Sequence, residues 1–249
     1  MRLTVVGAGP AYSDKPGAVG ACYLVTDGDA TIALDLGHGA FAGLASRIAP
    51  ERLTAILVSH LHPDHFVDLV PLRHYLRYHV TPPARALVLA PEGLVARLDG
   101  LHAQPGWTSA SLDVEPLREG EHELGRFHVE AGRVAHTDDS HAFRVHVDDR
   151  GPALVYSGDV GRADDLRALV RPGDTLLVEA SFGESAGDPG AAHLDGPAVG
   201  DLAADTRPAR VLLTHLLPVA DPAATIAAVR KRFDGPVSVV EPGDEIDLD

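Results

Sequence analysis

The sequence predicts a layered α/β fold, and three observations carry that prediction. Short β-branched or alternating runs recur along the chain, several of them precede the first long helical stretch, and helical stretches alternate with strands in the second half. An all-α bundle or a plain sandwich would lack one pattern or the other. With 249 residues, 45% of them hydrophobic, the chain is long enough to bury a sizeable apolar core. One domain over residues 1–249 is the simpler organisation, because no internal repeat, low-complexity block or linker interrupts the alternation.

In chain order, strands are expected at RLTVVG from Arg2, CYLVT from Cys22, TIALDLG from Thr31 and LTAILVSH from Leu53. The apolar positions Phe66, Leu69, Val70, Leu72 and Leu76 then fall near helical spacing, and Pro82-Pro83 must end that helix. ALVLAP from Ala86 reads as a strand, followed by a short helix with Pro91 in its first turn and Gly100 at its end. Later strands are expected at FHVEAG, FRVHV, ALVYSG, TLLVEAS, RVLLTH and PVSVV. Helices are expected over 163–170, 196–206 and 221–233, the last with Asp221 as its cap and Pro222 in the first helical position. The stretches 104–111 and 183–190 read as surface loops.

Charge and cysteine usage narrow the function. Lys plus Arg number 21 and Asp plus Glu 36, a net charge of minus 15. Such a surface repels a long polyanion unless one face is locally basic. The single cysteine, Cys22, excludes an internal disulfide and any zinc site made of several cysteines. No apolar run of signal-peptide or membrane-spanning kind occurs, so a cytoplasmic protein without a membrane partner is expected.

The 14 histidines are the unusual part of the composition. SHLHPDHFVDL places His60, His62, Asp64 and His65 within six residues, directly after the apolar run AILV. Strand periodicity sets His60 and His62 on one side, and the turn that follows can bring Asp64 and His65 to an adjacent point. Imidazole nitrogen and carboxylate oxygen bind zinc at about 2.0–2.2 Å, and three or four such groups on one turn can hold two ions side by side. A lone histidine in such a place usually faces water; four ligand-type residues behind a buried-looking strand argue for metal.

Two ions need more ligands than one turn supplies. His136 ends GRVAH, Asp159 follows ALVYSG, and His215 ends RVLLTH, each closing an apolar run. In open α/β architectures functional groups gather at the carboxyl ends of strands, so these three can converge on the first motif. Singly, each reads equally well as a turn, cap or surface residue. Asp159 is the natural bridge, since its two oxygens can each face one ion. His193, in AAHLDG, reads as either a solvated loop residue or a functional one. Glu179, ending LLVE, is an orienting partner or an exposed strand end, and Asp35 in IALDLG has similar standing. His74, His79, His102, His122 and His146 show no ligand spacing. Gly7-Ala8-Gly9 is a weak echo of a phosphate loop, without the third glycine, and carries no dinucleotide site.

In order along nearly the whole chain, His60-x-His62-x-Asp64-His65, His136, Asp159 and His215 resemble the motifs of the metallo-β-lactamase superfamily. YSGDVG, VEASF and AAHLDGPAVGDLA resemble its ribonuclease Z and cyclic-nucleotide phosphodiesterase branch. The resemblance implies a four-layer αββα sandwich with a di-metal site at one edge. It implies that His60, His62 and His136 hold one ion and that Asp64, His65 and His215 hold the other, with Asp159 bridging them. His193 would donate a proton, Glu179 would orient it, and Asp64 could also hold the attacking water. The expected cofactors are two divalent ions, zinc first and manganese as the alternative. Two positions depart from the family: His141 stands where tyrosine is usual, and only 22 residues, 137–158, separate His136 from Asp159. That interval leaves no room for the long arm with which ribonuclease Z holds tRNA.

The function implied is a metal-dependent hydrolase, a di-zinc phosphodiesterase acting on a small phosphodiester such as a cyclic nucleotide. Binding of tRNA is disfavoured, and a homodimer is left open. The same ligands would serve a ribonuclease Z-like nuclease trimming short RNA, a glyoxalase II-like thioester hydrolase, or a noncatalytic metal-stabilised binding protein. The thioester reading leaves the His193 segment unexplained, and the binding protein has no need of it. A β-lactamase of the common kind would want a cysteine ligand, and Cys22 precedes a different strand.

Overall fold

The computed structural model describes residues 1–148, 151–185 and 192–248. The first half of the chain supplies strands β1 (Arg2–Gly7), β2 (Cys22–Asp27), β3 (Ala30–Leu34), β4 (Ala55–Leu57), β5 (Ala86–Ala90) and β6 (Leu112–Pro116). The second supplies β7 (Gly120–Leu124), β8 (Phe127–Val134), β9 (Ser140–His146), β10 (Leu154–Tyr156), β11 (Thr175–Glu179), β12 (Arg210–Thr214), β13 (Val237–Val239) and β14 (Glu245–Asp247). They form two seven-stranded sheets, ordered β14-β1-β2-β3-β4-β5-β6 and β13-β12-β11-β10-β9-β8-β7. Pairing is antiparallel from β1 to β3 and parallel from β3 to β6. In the second sheet it is antiparallel from β7 to β10 and parallel from β10 to β13. Two successive reversals leave β1 running with β3–β6, and β8 with β10–β13, so the carboxyl ends of these strands share an edge within each sheet.

Alternation along the strands sorts side chains into three apolar clusters. Val5, Tyr23, Val25, Leu34 and Leu57 of the first sheet meet Phe127, Phe143, Val145, Leu154 and Leu212 of the second, between the sheets. On the far side of the first sheet, Leu24, Ile56 and Val88 pack against Leu44, Leu69, Leu72 and Leu98. These belong to helices α1 (Ala40–Ala45), α3 (Leu69–His74) and α4 (Leu94–His102); α2 (Pro63–Phe66) lies at the site. On the far side of the second sheet, Val155, Leu176 and Leu213 pack against Val199, Leu202 and Val229 of α5 (Gly196–Thr206) and α6 (Pro222–Arg230). The result is the four-layer αββα arrangement. Each fully buried large side chain contributes roughly 1.5–3 kcal/mol. Strands covered on both faces need continuous apolar runs, which is why TLLVE is buried throughout.

Several expected elements differ. The helix expected from Phe66 begins at Pro63 and is broken into α2, α3 and a π-helical stretch, Tyr75–His79. Pro71 explains the restart: it cannot donate to an earlier carbonyl, and in the first turn of α3 no such bond is required. Gly100 does not end α4, which runs through it to His102 and closes on Ala103 at φ 50°. The helix expected over 163–170 is a short 3-10 turn, Ala163–Leu166. β6, β7 and β14 carry largely polar, exposed residues at or near sheet edges and had no apolar pattern to reveal them. Of the 183–190 loop, residues 186–190 lie outside the described residues. Among the described residues no helix is long and apolar enough to cross a membrane.

Candidate metal centre

β4 ends at Leu57, so His60 and His62 stand in a loop and not on a strand. Strand periodicity therefore does not place them; the tertiary loop does. Pro63 starts α2 and puts Asp64 and His65 in its first turn. That turn is pressed against the segments before β2 and after β3: the Ala21 amide donates to the Asp64 carbonyl at 3.0 Å and the Leu36 amide to the His65 carbonyl at 2.8 Å. A Cβ on Gly37 would lie 1.8 Å from the same carbonyl oxygen, so only glycine fits there. Asp35 and His215 adopt the left-handed region at φ 60° and 59°, strained for residues other than glycine and characteristic of functional sites.

From these strand ends seven side chains converge. Donor atoms of His60, His62, His136 and Asp159 lie within 4.8 Å of one another, as do those of Asp64, His65, Asp159 and His215. Asp159, buried, belongs to both groups, and its oxygens divide between them. Oδ2 lies 3.8 Å from His60 Nε2 and 3.6 Å from His136 Nε2. Oδ1 lies 3.3 Å from His65 Nε2 and 3.5 Å from His215 Nε2. Asp64 Oδ2 is 3.2 Å from His215 Nε2 and 3.5 Å from His65 Nε2.

Hydrogen bonds on the far side of four rings settle which nitrogen faces inward. His65 Nδ1 is 2.7 Å from the Asp35 carboxylate, which is held in turn by the Ser59 amide and hydroxyl and by the Tyr156 hydroxyl. The Ser59 proton goes to Asp35, so its oxygen accepts from His60 Nδ1 at 3.1 Å. His136 Nδ1 donates to the Ala192 carbonyl at 2.8 Å, and His215 Nδ1 to the Ser181 hydroxyl at 3.1 Å. With each Nδ1 proton engaged outward, the neutral form of each ring turns a bare Nε2 lone pair toward Asp159, and in His65 and His215 toward Asp64 as well. Converging lone pairs and negative oxygens need cations between them. The buried Nε2 atoms of His60 and His65 accordingly have no hydrogen-bond partner among the described residues.

The donor set, neutral imidazoles with carboxylates, suits divalent zinc or a similar ion. Burial and the neighbouring imidazoles hold His60 well below its ordinary pKa, keeping it neutral. Burial also lowers His65, but Asp159 and Asp35 outweigh it and raise that ring well above its usual value, the same field that attracts a cation. Burial raises Asp64, but the adjoining His215 and His65 rings outweigh it and lower its pKa, leaving its carboxylate ionised.

Beside the second group, Glu179 and His193 form a pair. Glu179 is fully buried, so it is not an exposed strand end. Its Oε1 accepts from the Val160 amide and from His193 Nδ1, both at 2.9 Å, and its Oε2 accepts from the Ser181 amide at 3.1 Å and the Ser181 hydroxyl at 2.6 Å. His193 is half-buried, and its Nδ1 lies 4.0 Å from Asp159 Oδ2.

All seven metal-type residues, with Glu179 and His193, are thus brought together. Asp35 proves to be the anchor of His65. His141 lies in neither group; it is buried, its Nδ1 has no hydrogen-bond partner among the described residues, and its Nε2 is 3.8 Å from Asp139. His74 and His102 belong elsewhere, packed against Trp107. Sequence reasoning missed Ser59, Tyr156 and Ser181. Ser59 and Ser181 had a signal, each adjoining a singled-out residue by one or two positions; Tyr156, reading as strand core, had none. The Gly7–Gly9 segment closes on Val19 and Gly20, where a Cβ on Gly7 would meet the Gly20 carbonyl oxygen at 2.0 Å, and so serves chain packing.

Two facing sheets with helices outside, and histidine and aspartate donors gathered at one edge, define the class of metallo-β-lactamase-fold proteins. The beta-lactamase superfamily domain matches residues 32–216, and the chain belongs to that superfamily. The uncharacterised protein ML1173 of Mycobacterium leprae is 34% identical over 255 residues, covering 100% of this chain and 89% of that protein. YhfI of Bacillus subtilis, a probable metallo-hydrolase, is 25% identical over 222 residues, covering 87% of each chain. Its crystal structure, described as a metallo-beta-lactamase fold protein, matches with a TM-score of 0.87 over 98% of both chains at 20% identity. A ribonuclease Z of Mycobacterium bovis is 26% identical over 196 residues, 71% of this chain and 69% of that one.

Proposed function

We propose that the chain is a di-metal phosphodiesterase acting on a small phosphodiester, a cyclic nucleotide being the leading example. The observation that carries this reading is the buried Glu179–His193 pair set against the bridging Asp159. A phosphodiester expels an alkoxide, which needs a proton, whereas a thioester expels a thiolate that does not. A thioester hydrolase or a binding protein would leave a buried glutamate committed to a half-buried imidazole without a purpose.

His60, His62 and His136 would hold one ion, Asp64, His65 and His215 the other, and Asp159 both. When bound, two divalent ions would bring the pKa of water toward neutrality and offset charge on the phosphoryl oxygens. Asp64 uses Oδ2 toward His65 and His215, and its second oxygen would accept a hydrogen bond from the attacking water. His193, its Nδ1 committed to Glu179, would present Nε2 to the leaving oxygen. The relative named ribonuclease Z supports phosphodiester chemistry. A net charge of minus 15 and the short interval 137–158, of which Ser140–His146 and Leu154–Tyr156 are strands, support a small substrate over tRNA.

A panel at fixed zinc or manganese tests this: cyclic 3′,5′- and 2′,3′-nucleotides, short RNA, pre-tRNA, a glutathione thioester and a β-lactam. Small phosphodiesters should turn over and chelator should stop them. Rapid thioester turnover with inert phosphodiesters overturns the reaction class; no turnover at all after metal reconstitution favours a binding protein.

A further inference from the structure

We infer that Ser181 is a positioning residue that ties one half of the metal centre to the proton donor. A single hydroxyl stands between two groups with different tasks. Its oxygen is 2.6 Å from Glu179 Oε2, 3.1 Å from His215 Nδ1, 3.0 Å from the His215 carbonyl and 3.4 Å from His193 Nδ1. A serine has one proton, and the shortest contact, to an ionised acceptor, takes it. The lone pairs that remain accept from His215 Nδ1. That acceptance selects the tautomer of His215 whose Nε2 is free to face Asp64 and Asp159. At the other end, the donated proton and the Ser181 amide occupy Glu179 Oε2, which leaves Oε1 for His193 and the Val160 amide. His215 stands in the left-handed backbone region, so its ring direction is not held by ordinary strand geometry. Ser181 is fully buried.

The two halves of the centre are supported differently. His60 and His65 share the Ser59–Asp35 support, and His136 rests on the Ala192 carbonyl. Only His215 among these ligands leans on Ser181. Removing the hydroxyl therefore weakens one ion site selectively and also loosens Glu179 behind His193. The second effect rests on the phosphodiesterase reading; the first does not.

The test is a zinc titration of the full-length protein, stripped of metal and competed against a chromophoric chelator, for wild type, S181A and S181T. Wild type should bind in two steps. In S181A one step should weaken by about 10–100-fold, the scale for losing a partner behind a metal ligand, while the other step stays put and the melting temperature shows a folded protein. S181T, which keeps the hydroxyl, should bind near wild type. Two unchanged steps in S181A, or both weakened alike, overturn the inference. So does S181T behaving like S181A, which would assign the effect to packing. On phosphodiesters, S181A should lose more kcat with an alkoxide leaving group than with p-nitrophenolate; equal losses overturn the link to the proton donor. Failure of wild type to hydrolyse any phosphodiester overturns the proposed function alone, because the titration needs no substrate.

Discussion

Asp159 concentrates the chemistry of the site in one carboxylate, because each oxygen faces a different pair of histidines. Asp159→Ala should lower metal content and activity together, from about two ions per chain. Full occupancy by elemental analysis would refute the bridging role. His193 should fail differently, since in the proposed mechanism it would donate a proton while seven other residues would keep the metal. His193→Ala should retain metal and lose about 10²- to 10⁴-fold on a nucleotide diester, with a much smaller loss on bis-p-nitrophenyl phosphate. Equal losses would point to phosphoryl binding, and metal loss to a ligand role. Burial pulls the His193 pKa down, but the hydrogen bond and charge of Glu179 outweigh it and raise the pKa above its usual value. A proton donor stops working as pH rises through its pKa. Glu179→Gln removes the raising charge, so the alkaline limb of kcat/KM should move to lower pH; an unmoved limb assigns that limb to another group.

At the scale of elements, helix ends adjoin the working residues. Asp195 caps α5 two residues after His193, its carboxylate accepting from the Ala198 amide at 2.8 Å. Asp195→Ala should cost about 0.5–2 kcal/mol in thermal or denaturant unfolding. It should also reduce kcat more than metal content, because α5 anchors the segment that carries His193. A stability loss with kcat intact would show that His193 is held by Glu179 alone. Both helices were legible locally: 196–206 through its small and apolar residues, and α6 through Asp221-Pro222 at its start. The break between α2 and α3 was not legible, because apolar spacing continues across it while the backbone turns to seat Asp64 against Ala21 and Gly37 and His65 against Leu36.

For the whole molecule, the governing facts are the net charge of minus 15 and the short interval 137–158 between His136 and Asp159. Phosphate contacts supply most affinity for a nucleic acid, and a chain of net charge minus 15 offers few of them. Affinity for tRNA should therefore be weak, and pre-tRNA should be processed less efficiently than small phosphodiesters. Processing well above that of small substrates would show that another segment replaces the arm.

Residue types and their spacing were enough to determine the layered α/β class and the donors His60, His62, Asp64, His65, His136, Asp159 and His215 as ligand-type residues ending apolar runs. That information is local: strand ends and turn residues announce themselves within a few positions. Only the tertiary structure decided that the donors from both sheets meet, because the meeting depends on Asp159 reaching across to His60 and His65 from β10 and on His215 facing Asp64, contacts that span up to most of the chain. The second layer of support was only partly legible in sequence: Asp35 stood out as a carboxylate closing an apolar run, and Ser59 and Ser181 adjoin singled-out residues, but what each of them holds was not. Asp35 comes to lie under His65, Tyr156 under Asp35, and Ser181 between Glu179 and His215 only when folding buries them and leaves their polar atoms to one another.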